Sequence, residues 1–159
     1  MKIYKMTLSD FYLIKDVLIS EFDDFWKPGI LESELKSNNS KYIVIKINTE
    51  IVGFAGIIIT PVDVEITNIV TKKSERKKGI GTLLLDRLIE MAKKTDKDSI
   101  SLEVNEINNP ALKLYEKAGF TVVGKRKKYY DGKYDAIIMT KFLKRWQKIL
   151  KIFFVWYTI

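Results

Sequence analysis

Apolar residues recur along this chain at two periods, and the places where the period changes mark out its elements. Residues 2–6 read as a short strand. From Thr7 the spacing lengthens. Phe11, Ile14, Val17, Leu18 and Phe22 form the stripe of a helix over residues 7–21, with Thr7 as its N-cap. A short second helix follows Pro28, over residues 30–36. Two apolar runs, 41–47 and 51–60, flank Asn48-Thr49-Glu50 and predict a hairpin. Residues 63–71 are the next strand. Leu83, Leu84, Leu85, Leu88, Ile89 and Ala92 then return to helical spacing, to about Lys94. In 100–105 Leu102 and Val104 share one face of a strand, so Glu103 takes the other. Asn109 is expected to cap a helix with Pro110 at its first position. Residues 120–129 and 135–142 close the pattern as a hairpin. The order β-α-α-β-β-β-α-β-α-β-β defines an α/β chain. One domain is expected over 1–142, with 143–159 as a basic, aromatic tail outside the pattern.

The junction before the third helix carries the strongest chemical signal. Arg76-Lys77-Lys78-Gly79-Ile80-Gly81-Thr82 follows the apolar run Val64 to Val70 and opens a helix. Glycines let the backbone approach a bulky anion, and the helix start offers unpaired N–H groups and a positive dipole end. Three basic side chains add charge. A phosphate or pyrophosphate fits this loop. A P-loop is excluded, because it needs four residues between its glycines and a Lys-Ser/Thr after them. A Rossmann turn is excluded too: it needs a small third residue where Leu84 stands, and a strand close before the turn. The plain alternative is a solvated helix start, which two glycines would weaken without a reason.

Composition removes further classes. The 159 residues suffice for one domain with a core, and 47% hydrophobic with 30% charged residues is ordinary for a soluble globule. The sequence has no Cys and no His. Disulfides, thiolate nucleophiles, Ser-His-Asp triads and His bases are therefore excluded, and any general base must be a carboxylate, Lys or Tyr. No metal site is expected. The net charge of +8 is concentrated: from Lys125 onward there are ten basic residues and only two acids. An anionic partner or a lysine-rich solvated surface would each account for it. The first residues are too polar for a secretory signal, so a cytoplasmic location is expected.

In the loop, Arg76-Lys77-Lys78-Gly79-Ile80-Gly81 resembles the acyl-CoA motif of the GNAT acetyltransferase superfamily, Gln/Arg-x-x-Gly-x-Gly/Ala. Leu102-Glu103-Val104-Asn105, Asn108-Asn109-Pro110-Ala111 and Leu114-Tyr115-Glu116-Lys117-Ala118-Gly119-Phe120 follow in that family's order. Lys128-Tyr129-Tyr130, Asp131-Gly132 and Asp135-Ala136 are similar to the end of its protein N-terminal acetyltransferases, the RimI type above all. The resemblance covers roughly residues 1–142. It implies a GNAT fold: a mixed, mostly antiparallel sheet of about seven strands, helices on both faces, and a splayed strand pair at the CoA site. Lys72-Lys73-Ser74-Glu75 departs from the shorter or more acidic turn usual in the family.

The resemblance also implies roles. Acetyl-CoA would be held by Arg76, Lys77, Lys78, Gly79, Ile80, Gly81 and Thr82, by the backbone of Ile69, Val70 and Thr71, and by Asn108. Glu103 would be the base and Tyr115 the acid. Tyr129, Tyr130 and Trp26 would hold the acceptor, a protein N-terminus that includes ribosomal proteins among its candidates. A small-amine acetyltransferase is the nearest rival. A non-catalytic CoA-binding module is a second, against which Glu103 and Tyr115 both argue. Charge alone suggests an RNA or ribosome binder, but no RNA-stacking aromatic motif supports nucleic acid. The tail is expected to pack on its own domain or to join two copies in a homodimer, ahead of a membrane surface.

Overall fold

Residues 1–22 and 28–143 are described by a computed structural model. They hold β1 (Lys2–Lys5), α1 (Leu8–Ile14), a π-helical segment (Leu18–Phe22), α2 (Pro28–Lys36), β2 (Ser40–Ile47), β3 (Glu50–Ile59) and β4 (Val64–Thr71). A 3₁₀ turn (Lys73–Glu75), α3 (Ile80–Lys93), β5 (Ser99–Asn105), α4 (Asn109–Lys117), β6 (Thr121–Tyr130) and β7 (Tyr134–Phe142) follow. The chain divides into two compact units, Met1–Thr60 with Glu65–Leu88, and Pro61–Val64 with the chain from Ile89 onward.

In the first unit the strands run in the order β1-β2-β3-β4, with β1·β2 and β2·β3 antiparallel. Alternation sorts the side chains of β2 and β3 onto two faces. Tyr42, Val44 and Phe54 join Phe11, Ile14, Leu18, Phe22 and Leu31 in one core under α1, the π-helical segment and α2. The opposite face meets α3. A Cβ added at Gly53 would lie 2.9 Å from Ile80 and 3.3 Å from Leu84, so this glycine lets the start of α3 come close to β3.

Thr7 caps α1 as expected, with a reciprocal box. Asp10 N–H donates to the Thr7 hydroxyl at 3.2 Å, and Thr7 N–H donates to the Asp10 carboxylate at 2.8 Å. The single helix expected over 7–21 is interrupted after Ile14. Val17 N–H closes a tighter bond to Ile14 at 3.0 Å, and the Ser20 hydroxyl takes the Val17 carbonyl at 3.2 Å. The apolar stripe still reaches the core, because Leu18 and Phe22 are buried from the π-helical segment.

Gly56 lies opposite Tyr42 in the register, and a Cβ there would fall 2.2 Å from the tyrosine ring. The missing side chain is the space the ring occupies. Gly56→Ala is expected to destabilise the fold by ~1–3 kcal/mol, the usual cost of forcing atoms into a packed core. A urea midpoint equal to that of the parent protein would contradict this packing account.

In the second unit β5, β7 and β6 lie in that order, antiparallel throughout. Leu102 and Val104 are buried and Glu103 is on the other face, as alternation predicted. α4 begins one residue earlier than expected. Asn108, not Asn109, is the cap, its side chain accepting the Ala111 N–H at 3.3 Å. The helix ends at Gly119, whose φ of +85 lets Phe120 N–H return to the Tyr115 carbonyl at 3.0 Å. β7 ends at Phe142, and Leu143 N–H bonds the Asp98 carbonyl at 2.9 Å. The tail beyond it, 144–159, lies outside the described residues, and so does the expectation of a homodimer built on it.

Candidate active site

The first unit contributes the glycine loop. Gly79 has φ +82 and its carbonyl accepts the Leu83 N–H at 3.1 Å, which makes it the N-cap of α3. A Cβ at Gly79 would touch nothing, so the glycine is required by its backbone angle rather than by space. Lys77 is also left-handed, at φ 64. The first N–H groups of α3 have no carbonyl a turn earlier to bond, which leaves donors at Ile80, Gly81 and Thr82.

The loop's cations are less available than their number suggests. Arg76 donates to the Phe22 carbonyl at 3.0 Å, and Lys78 pairs with Glu75 at 3.0 Å. Just upstream, Lys73 donates to the Ile19 and Ser20 carbonyls at 3.0 and 2.9 Å. Lys72 pairs with Glu21 at 2.7 Å and Glu50 at 2.5 Å. These contacts explain the Lys72-Lys73-Ser74-Glu75 departure: its lysines fasten the π-helical segment to the loop. Ile69, Val70 and Thr71 are the last residues of β4, with Val70 buried. Trp26 lies outside the described residues.

A polar group inside this unit was not anticipated. The Tyr42 hydroxyl contacts Glu34, Thr67 at 2.8 Å and Asn68 Nδ2 at 3.0 Å. A phenol has one proton to give. With Glu34 taking it, Thr67 and Asn68 act as donors to the Tyr42 oxygen. Burial, and then Glu34, push the Tyr42 phenol well above its ordinary range. Asn68 is 7% exposed, and its Oδ1 has no partner among the described residues. An Asn inside the apolar run of β4 was the sequence signal for this group.

The second unit brings Glu103, Tyr115, Tyr129 and Tyr130 into one neighbourhood. Glu103 Oε1 meets Arg126 Nε at 2.9 Å. Tyr130 is raised above its usual pKa by burial, then by the Glu103 charge. Tyr115, on α4, is 9% exposed, and its ring sits 5.9 Å from that of Phe120. Burial, and then Tyr130, push its phenol up to about 12. Tyr115 is therefore protonated at any working pH and is a weaker acid than a free phenol. Tyr129 and Tyr130 meet edge to face, with centroids 5.2 Å apart.

These tyrosines sit where β6 departs from regular pairing. Its register shifts between Arg126 and Tyr130, and Lys128 takes φ 53. The Lys128 N–H donates to Asp135 at 2.7 Å, so the bulge leaves that donor satisfied. Lys125 bridges Asp135 at 2.9 Å and Glu106 at 3.2 Å. The Lys125 ammonium, then the Lys128 N–H, hold the Asp135 carboxyl below its usual range. The turn that follows has positive φ at both Asp131 and Gly132, and closes with Lys133 N–H on the Tyr130 carbonyl at 2.9 Å. Asn108, expected to contact CoA, uses its side-chain oxygen to cap α4.

Among the described residues no group of His, Cys, Asp and Glu could hold a metal ion. No described helix is long and apolar enough to cross a membrane.

In the order of the chain, the glycine-capped start of α3 follows β4, and Glu103 and Tyr115 lie on the next strand and helix. Residues 3–120 match the Acetyltransferase (GNAT) family, and the chain belongs to it as an acetyltransferase. Enzymes of this family take their acetyl group from acetyl-CoA. The chain is 36% identical over 136 residues, 84% of its length and 90% of the relative's, to a Bacillus subtilis (strain 168) protein provisionally named ribosomal protein bS18-alanine N-acetyltransferase. It is 34% identical over 112 residues to the N-alpha-acetyltransferase RimI of Mycobacterium tuberculosis (strain ATCC 25618 / H37Rv), covering 68% of this chain and 69% of that one. The crystal structure of the ribosomal-protein-S18-alanine N-acetyltransferase from Escherichia coli superposes with a TM-score of 0.81 at 25% identity, over 89% of this chain and 93% of that one. The GNAT fold expected from the sequence is thus the fold of the chain.

Proposed function

We propose that this chain transfers the acetyl group of acetyl-CoA to the α-amine of a protein N-terminus, with a ribosomal protein as the first candidate acceptor. The observation that carries the reading is the likeness, over 84% and 89% of this chain, to proteins named for that reaction. The Tyr129-Tyr130 pair beside Glu103, on a bulged strand ending in a tight turn, supports it.

The chemistry needs few groups. The amine nitrogen attacks the thioester carbon, a tetrahedral intermediate forms, and the carbon–sulfur bond breaks to give the amide and CoA. Glu103 takes the ammonium proton, directly or through a water, and passes it to solvent. The second proton leaves the nitrogen of the tetrahedral intermediate by the same route, and the released thiolate is protonated from solvent. A free α-amine has a pKa near ~7.7–8.0, so a carboxylate suffices for this step. Tyr115 serves the departing sulfur. Its raised pKa lies well above the ~8.5 of a thiol, so it stabilises the thiolate by donating a hydrogen bond rather than by giving up its proton outright. The N–H groups at the start of α3 and the loop glycines bind the pyrophosphate, and backbone groups of Ile69 to Thr71 polarise the thioester carbonyl. Tyr129 and Tyr130 hold the first peptide units, and no metal takes part.

The test is mass spectrometry of N-terminal peptides incubated with the enzyme and acetyl-CoA. Peptides beginning with Ala or Ser are expected to gain one acetyl group at the α-amine. Turnover of spermidine or free lysine far exceeding every such peptide would replace this reading with a small-amine acetyltransferase.

A further inference from the structure

Among the described residues Arg126 is the one cation in an ion pair with the proposed base, and neither the motif nor the chemistry above gives it a part. Its Nε lies 2.9 Å from Glu103 Oε1. Its guanidinium carbon lies 5.6 Å from the centre of the Tyr129 ring. The route between the strands is specific. Glu103 is paired with Ile138 on β7, and Ile138 with Gly124 on β6. One step along, Arg126 lies opposite Ala136, whose methyl group leaves room for the arginine to cross β7 and reach Glu103.

Stability does not account for this contact. The side chains are 58% and 28% exposed, and an ion pair with that much solvent contributes only ~0–1 kcal/mol. The acceptor's charge gives a better account. A free α-amine near neutral pH is largely ammonium, which cannot attack a carbonyl. A lone carboxylate would bind that ammonium as a salt bridge and hold it in the unreactive form. A carboxylate already paired with a guanidinium exerts a weaker field, yet its second oxygen keeps lone pairs for a proton.

The geometry points to Arg126 as a positioning residue for Glu103: it pins Oε1, leaves Oε2 to the acceptor, and weakens capture of the acceptor as ammonium. The inference rests on Glu103 being the base. The other groups facing Glu103 fit this arrangement. Tyr130 on β6 is an uncharged phenol, β7 presents Ile138, and Ser101 and Asn105 flank it on its own strand.

The test compares Arg126→Gln, Arg126→Lys, Glu103→Gln and the Arg126→Gln/Glu103→Gln double variant in steady-state acetylation of an Ala-initiated peptide across pH. Arg126→Gln is expected to lower kcat about tenfold, less than the ~10²-fold that a 1 Å misplacement can cost, because Glu103 keeps its place on β5. Its acceptor KM should stay level or fall, because a lone carboxylate holds the acceptor ammonium more tightly. Arg126→Lys should recover most of kcat. In the Glu103→Gln background the arginine change should cost nothing further. A raised acceptor KM, no rescue by Arg126→Lys, or wild-type kcat in Arg126→Gln would overturn the positioning role while leaving Glu103 as base. Wild-type kcat in Glu103→Gln would instead remove the base reading, and this inference with it.

Discussion

Glutamine in place of Glu103 is expected to lower kcat by ~10²–10⁴-fold, the range general acid–base groups supply, and to leave acetyl-CoA affinity unchanged. The substitution keeps the size of the side chain and its place on β5 while removing the proton acceptor. Tyr115→Phe should cost less. The phenylalanine ring keeps its packing against Phe120. What is lost is one hydrogen bond to a developing thiolate, about 1.5–3 kcal/mol for a bond to a charged group, or roughly 10–150-fold in rate. The raised pKa fixes the pH behaviour expected of Tyr115. A phenol at about 12 does not ionise in the working range, so Tyr115→Phe should lower the rate evenly across neutral pH without moving either limb. Steady-state kinetics with calorimetry of acetyl-CoA binding separates the effects. Wild-type kcat in both variants, with chemistry limiting, would end the assignment.

Gly81→Asp is expected to weaken acetyl-CoA binding by about 10²-fold or more. The new carboxylate would sit in the first turn of α3, where it competes for the free N–H groups and repels a pyrophosphate. Two like charges about 5 Å apart at an effective dielectric of ~20 cost ~3 kcal/mol, which is the fold-change stated. The fold should survive, because an acid in the first turn of a helix favours the dipole. Gly81→Ala provides the control, adding a methyl group without charge. Calorimetry that found equal affinity in Gly81→Asp and the parent would show that the pyrophosphate binds elsewhere.

Sequence reasoning reached those features of the fold that depend on neighbouring residues. The capping box at Thr7 needs only Thr7 and Asp10, and the face of Glu103 follows from Leu102 and Val104 on either side. It failed where two local solutions compete. Asn108 and Asn109 are both able to cap α4, and only the bond to Ala111 N–H decides between them. A helical stripe over 7–21 was right about which residues are buried and wrong about an unbroken helix, which gives way where the Val17 N–H bonds Ile14 in a tighter turn. The least legible features were long-range partnerships. Arg76 looks free for an anion until the Phe22 carbonyl is brought to it. Arg126 is one of four adjacent cations, and what singles it out is a register across β7 that no local pattern encodes.

The irregular stretch of β6 has a consequence for the molecule in a crowded cell. Among the described residues β6 ends the β5-β7-β6 run, so its outer row of backbone groups is a template onto which a foreign strand could add. Two shifts in register and four consecutive cations, Lys125 to Lys128, lie along that row. A straight incoming strand cannot keep pairing past the shifts, and it would need compensating negative charge to approach at all. The distortion beside Tyr129 and Tyr130 therefore also guards the edge against aggregation. Straightening β6 or neutralising its lysines would put solubility at risk.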